Sequence, residues 1–282
     1  MYNFRLDRFL TLYFFHPIIK LSFHNDLRIP ILMYHSISED IENGVHPYYQ
    51  INTSPVLFAE HMKYLHNHNY SVINLTDMTK LFETRNKVIS KYVVLTFDDG
   101  YHDFYNQAFP ILNKYNFTAT VYLPTGSIEN QSLKLKGKDH LNWNEIRELL
   151  KRGIVFGSHS VTHPQLSLLR KEDTEYEIRK SKEAIEEKTG ERVDSFSYPF
   201  KFPEELKYFT QLLSDVLKKY GYRYGVSTRI GRTYKNDDIY FRKRIPINSQ
   251  DDLSLFKAKI EGGYDWLYHI QKLFKHRFSH LF

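Results

Sequence analysis

Short apolar runs alternate with longer amphipathic ones along most of the chain. Ile29–Tyr34, Ser71–Leu75, Tyr92–Leu95, Thr118–Leu123, Ile154–Phe156, Ser195–Tyr198, Tyr224–Ser227 and Phe241–Ile247 are predicted strands. The stretches between them predict helices. One starts at Ser54-Pro55, with Ser as the cap and Pro in the first turn, and runs to about Asn69. Others cover Thr76–Glu83, a segment near Phe104–Tyr115, Asn142–Lys151, Lys171–Thr189, Pro203–Tyr220, Asp251–Ile260 and Tyr264–Phe278. The long charged helix stops at Gly190, a residue suited to a left-handed cap. Regular strand–helix alternation predicts an α/β fold with a parallel sheet, closed as a barrel or open and doubly wound. In both, ligands are met at the carboxyl ends of the strands.

Two strand ends stand out under that rule. "VVLTFDDG" (Val93–Gly100) carries an apolar run straight into Asp98 and Asp99. Successive strand residues face opposite sides, so both carboxylates reach one pocket only if the chain turns there. Gly100 permits the turn. Adjacent carboxylates repel unless a cation lies between them or they do different work. "GSHSVTH" (Gly157–His163) follows the apolar run "IVF" and spaces His159 and His163 as i and i+4, which predicts both imidazoles on one face of a helical turn. Two histidines and one carboxylate leave an open position on a metal ion, the arrangement of a catalytic site. The spare carboxylate then serves as a general base.

Composition narrows the chemistry. No cysteine occurs among the 282 residues, which excludes disulfides, thiolate catalysis and Cys-type zinc sites. A hydrophobic content of 41% with 16% aromatics supports a substantial core and argues against disorder. The net charge of +6 is a mild basic bias that ordinary solvated surface explains, and no nucleic-acid-binding motif accompanies it, so no nucleic acid is expected as a partner. Phe9–Phe23 is apolar but broken by His16, Pro17 and Lys20, and no small-residue cleavage site follows; it reads as an interfacial or core-covering segment rather than a signal.

"TFDDG" (Thr96–Gly100) and "HSVTH" (His159–His163), in this order and at strand ends, resemble the first two motifs of the polysaccharide deacetylase family, or NodB-homology domain. The resemblance covers residues 28–250 and implies a distorted (β/α) barrel and a metal-dependent hydrolase that removes N-acetyl groups from sugars. Carried over by position, it implies Asp98 as the catalytic base and Asp99, His159 and His163 as metal ligands. "SYPF" (Ser197–Phe200) is similar to the third motif, which implies Tyr198, Pro199 and Phe200 at the substrate, with the Phe200 N–H holding the oxyanion. The implied metal is Zn2+, and the ligand set also accepts Co2+, Ni2+ or Fe2+.

The departures from the pattern carry information as well. The family's third motif begins with an arginine where this chain has Ser197, follows its proline with tyrosine where Phe200 stands, and often has glycine where Lys201 stands. No terminal histidine motif is visible near the carboxyl end. "ILMYHSI" (Ile31–Ile37) near the amino end instead resembles the rearranged branch that deacetylates poly-N-acetylglucosamine, which implies His35 as the general acid. Arg244 of "KRIPI" is the candidate to replace the missing arginine and orient Asp98. The altered third motif keeps a second reading open, a catalytically inactive carbohydrate-binding or regulatory protein on the same barrel. Around the residue 28–250 domain, residues 1–27 and 251–282 are read as an amphipathic covering segment and a helical extension. In the latter, Trp266, Leu267, Ile270, Leu273, Phe274 and Phe278 form an apolar stripe beside Lys272, Lys275, His276 and Arg277. Both ends thus admit peripheral membrane contact or packing on the barrel, and the expected location is cytoplasmic or at the inner face of a membrane.

Overall fold

The computed structural model describes residues 5–21, 26–83, 91–200, 202, 206–268 and 270. Its centre is a ring of parallel strands taken in chain order: β1 (Ile31–Tyr34), β2 (Lys91–Phe97), β3 (Thr120–Leu123), β4 (Val155–Ser158), β5 (Ser195–Ser197), β6 (Tyr224–Ile230) and β7 (Arg242–Pro246). Each pairs with the next, and β1 pairs with both β7 and β2, so the seven strands close into a barrel. Tyr70–Val72 adds a parallel strand along the first half of β2. The predicted strand Ile29–Tyr34 is split. Pro30 has no N–H to donate, and Arg28–Ile29 leaves the ring to pair antiparallel with Thr233–Tyr234.

Side-chain parity sorts the ring into two layers. Leu32, Tyr34, Val93, Leu95, Phe97, Val121, Leu123, Phe156, Phe196 and Ile245 face outward and share one core with the helices Pro55–Asn67, Trp143–Lys151, Lys171–Thr189 and Lys207–Lys219. Each fully buried Leu, Ile or Phe in this layer contributes about 1.5–3 kcal/mol relative to exposure. Ile31, Val94, Tyr122 and Val226 face inward, and Leu75, Met78 and Phe82 of the helix Leu75–Glu83 pack with them to close the amino-terminal end of the barrel. The other end stays polar, and the site lies there.

Residues 5–21 and 251–268 pack on each other beside the barrel. Phe15 stacks on Trp266 at 4.6 Å, Trp266 donates to Thr11 Oγ1 at 3.1 Å, His16 meets Glu261 at 2.7 Å, and Tyr264 donates to Asp7 at 2.7 Å. Leu6, Phe9, Tyr13, Phe14, Ile18 and Leu21 remain exposed on the outer side of the amino-terminal helical stretch. Of the predicted carboxyl-terminal stripe, Trp266, Leu267 and Ile270 are described; Leu273, Phe274, Phe278, Lys272, Lys275, His276 and Arg277 lie outside the described residues, as does Lys201. Among the described residues, no helix is long and apolar enough to cross a membrane.

Candidate active site

Five strands deliver the site, and parity selects which residues enter it. On β1, Ile31 faces inward and Tyr34 outward, so His35, the next residue, faces inward at the strand's end. Tyr34 points the other way and bonds His61 Nδ1 at 3.1 Å. The ladder of β2 runs one residue past the strand, with Asp98 N–H donating to the Tyr34 carbonyl at 2.9 Å. The ladder of β4 likewise reaches His159, whose N–H donates to the Leu123 carbonyl at 3.0 Å. Ser197 on β5 and Arg244 on β7 complete the inward set.

Asp98 and Arg244 form a buried, two-pronged ion pair. Both terminal guanidinium nitrogens lie 2.7 Å from the two carboxylate oxygens. Arg244 is 1% exposed and also donates to the Ser227 carbonyl at 3.0 Å, Ser197 Oγ at 3.0 Å and Thr96 Oγ1 at 3.3 Å. Burial works against ionised Asp98, but the charges of Arg244 and then His159 outweigh it and hold its pKa below the ordinary carboxylate value. The small Ser197 leaves room for a guanidinium that arrives from another strand.

Asp99 cannot follow strand parity and still share this pocket. The chain solves that by turning left-handed: Asp99 has φ 68° and Gly100 φ 56°. A Cβ on Gly100 would meet Leu123 Cδ2 at 2.7 Å, so the turn also needs the missing side chain. The turn brings Asp99 Oδ1 to 3.4 Å from His159 Nε2 and 3.2 Å from His163 Nε2. His140 supports it from behind, with Nδ1 2.9 Å from the Asp99 carbonyl and Nε2 accepting from Leu135 N–H at 3.3 Å, which fixes the proton on Nδ1.

The segment from His159 to His163 is not the predicted helical turn. Ser160 and His163 have φ of 65° and 55°, which breaks the 3.6-residue repeat, yet both imidazoles still face Asp99. Their rings lie 4.8 Å apart. His159 Nδ1 bonds the Ser197 carbonyl at 2.7 Å, so Nδ1 carries the proton and Nε2 turns a lone pair to the pocket.

One ligand atom from each of Asp99, His159 and His163 lies within 4.8 Å of the others, and among the described residues no other group of His, Asp or Glu does so. Asp99 Oδ1 is buried with no hydrogen-bond partner among the described residues, a costly state for a carboxylate oxygen unless a cation meets it. Burial pulls His159 toward the neutral form, but Asp98 and Asp99 outweigh it and raise its pKa, a sign of a pocket that favours positive charge. The donor set fits a divalent ion with an open position.

Phe200, with φ 59°, stands at the rim, 54% exposed, its ring 4.9 Å from that of His163. Its backbone N–H has no hydrogen-bond partner among the described residues. His35 is half-buried; burial lowers its pKa while the charges of Asp99 and Asp98 oppose the shift. Tyr198 is a correction: its ring shares outward parity with Phe196 and packs 5.0 Å from Phe202 and 5.6 Å from Phe241, so this side chain belongs to the aromatic layer and not to the site. Pro199 lies between Tyr198 and Phe200 in the turn that ends β5.

A family model described as polysaccharide deacetylase matches residues 85–225. A Bacillus subtilis relative named for that family, YxkH, is 30% identical over 235 residues, covering 83% of this chain and 77% of its own. A poly-beta-1,6-N-acetyl-D-glucosamine N-deacetylase of Staphylococcus aureus is 26% identical over 240 residues, with the same 83% and 77% coverage. In fold, the deacetylase PplD of Streptococcus pyogenes, solved with acetate, matches 83% of this chain and 99% of its own with a TM-score of 0.71 at 24% identity. The chain belongs to the polysaccharide deacetylase family, whose members are carbohydrate N-deacetylases.

Proposed function

We propose that Asp98 is the base, His35 the acid and the Phe200 N–H the oxyanion donor for hydrolysis of an acetamido group on a glycan of N-acetylhexosamine units. The single observation that carries this reading is the division of labour between adjacent carboxylates: Asp98 is consumed by Arg244, while Asp99 keeps a bare buried oxygen toward two imidazoles. A divalent ion on Asp99, His159 and His163, zinc by our reading, supplies Lewis acidity toward the amide carbonyl and the attacking water. Asp98 takes a proton from that water as its oxygen bonds the carbonyl carbon. The Phe200 N–H donates to the oxygen that gains charge. His35 gives a proton to the nitrogen as the C–N bond breaks, leaving acetate and a free amine. Arg244 keeps the base ionised and aimed. Residues 28–250 form the catalytic domain in this scheme.

The test is mass spectrometry of β-1,6- and β-1,4-linked N-acetylglucosamine oligomers before and after incubation with zinc-loaded protein. Loss of acetyl groups and matching acetate in solution is the expected result. Unchanged oligomers of both linkages would contradict the proposed substrate class.

The exposed apolar side of the amino-terminal helix favours one addition, a peripheral contact with a membrane surface. Retention of the protein on phosphatidylglycerol vesicles, lost when Phe9, Tyr13 and Phe14 are all changed to Ser, would support it. A wild-type protein that stays in solution at low salt would end it.

A further inference from the structure

We propose that Glu177 is a positioning residue for the metal site, holding the loop between the two histidine ligands in the conformation that lets both face Asp99. The proposal rests on the reading of Asp99, His159 and His163 as the ligands. Glu177 lies on the helix Lys171–Thr189, well away from those residues in sequence, and is 7% exposed. Its carboxylate accepts three hydrogen bonds, all from the loop: Val161 N–H at 2.8 Å and Thr162 N–H at 2.9 Å on Oε2, and Thr162 Oγ at 2.8 Å on Oε1. Among the described residues, no other side chain reaches the backbone N–H groups between the ligands.

The loop needs such a hold. Ser160 and His163 are both left-handed, a conformation that L-residues disfavour and that persists only where the surroundings over-determine it. The opposite edge of the same loop is gripped by backbone alone, with Thr125 N–H on the Ser160 carbonyl at 3.2 Å and Gly126 N–H on the Val161 carbonyl at 2.8 Å. A Cβ on Gly126 would sit 2.8 Å from that Val161 oxygen, so the approach leaves no slack. Residues 160–162 are therefore clamped between donors on one side and a single acceptor on the other. Removing the acceptor frees one edge, and the ligand that moves is His163, whose backbone is then held by its N–H on Ser160 Oγ at 3.1 Å and whose ring meets Asp99, His159 and Phe200.

Zinc affinity measured by competition with a chromogenic chelator separates positioning from plain scaffolding. Glu177→Ala should weaken zinc binding about ten- to hundredfold, the usual effect of losing a group that orients a ligand. Glu177→Gln retains an oxygen for the two N–H groups but loses the charge that roughly doubles such bonds, so it should fall several-fold short of wild type. Cobalt-loaded Glu177→Ala should also show altered visible absorption, which a change in scaffold stability alone does not produce. An alanine variant that melts lower yet binds zinc with wild-type affinity and shows an unaltered cobalt spectrum overturns the proposal. If Glu177→Ala does not fold, Glu177→Gln decides: wild-type zinc affinity there overturns it equally. His163→Ala is the control for the reading beneath it. If that variant retains full zinc affinity, the ligand assignment fails first, whatever Glu177 does.

Discussion

Replacing Arg244 with Met deletes the charge while retaining most of the side chain's length. Five hydrogen bonds go, two of them at 2.7 Å to Asp98. Ser197 Oγ, 3.3 Å from each Asp98 oxygen, becomes the main remaining donor in a pocket where Asp98 is 3% exposed. Breaking a buried pair from one side costs about 3–5 kcal/mol, because the stranded charge is not rehydrated. For a chain of this size that lowers the melting temperature by about 6–20 °C. The pH dependence gives a second handle. In the wild type, Asp98 has a lowered pKa, so its contribution to stability is complete above the unfolded carboxylate pKa and is lost as pH falls through the folded value. In the variant, burial is still opposed by His159 and His35 but no longer by Arg244, so the pKa rises from its wild-type position and the folded state loses less stability as pH falls. The gap between variant and wild type should therefore be widest near neutral pH and narrow on acidification. Urea unfolding at pH 7 and pH 5 measures it, and adding Asp98→Asn to the variant should recover about 2–3 kcal/mol of the loss. A variant within about 1 kcal/mol of wild type at both pH values would refute the reasoning, since a stranded buried carboxylate cannot be that cheap.

His35→Ala should lower kcat about 10²–10⁴-fold with zinc content unchanged, as the loss of a general acid does; a normal rate would return His35 to packing. Tyr198→Phe removes a buried hydroxyl that has no partner among the described residues, so it should be neutral or slightly stabilising and leave kcat/KM alone, whereas a drop in kcat/KM would put the ring at the substrate. At the termini, burial opposes ionised Asp7 and Glu261, but hydrogen bonds from Arg5 and His16 respectively outweigh it and lower both pKa values. Their stabilisation is present above the ordinary carboxylate range and lost below it, so the fluorescence of Trp266, stacked on Phe15, should hold steady from neutral pH and shift to the red only below about pH 4. An earlier shift would show that these carboxylates do not hold the helix.

Strand parity explains why much of the site can be read from the chain. His35, Asp98 and His159 each directly follow an apolar strand, and Arg244 shares an inward register with them; period-two alternation sends all four to one end of the barrel. The same rule exposes the misreading of Tyr198: family position puts it at the substrate, but two residues of alternation from Phe196 turn it into the aromatic layer. Residues whose placement depends on left-handed backbone resist this kind of reading. Asp99 and His163 reach the pocket through φ values that local propensity disfavours, and the i, i+4 spacing of the histidines imitates a helix that never forms. His140 and Glu177 carry no local signal at all, because each acts through a fold contact with a distant loop. Arg244 bears on the reading of an inactive protein, because it meets Asp98 beside the altered third motif. The guanidinium comes from β7, and Ser197 Oγ accepts from it at 3.0 Å.

The most direct measurement pairs zinc content with acetate release for wild type and Asp98→Asn on the same N-acetylglucosamine oligomer. Removing a base that is not a ligand should leave one zinc ion per chain in both proteins and cut acetate release by about 10²–10⁴-fold in the variant. Loss of zinc from Asp98→Asn would make Asp98 a ligand, and near-normal release would leave the reaction without the base assigned here; either result contradicts the division of roles between Asp98 and Asp99.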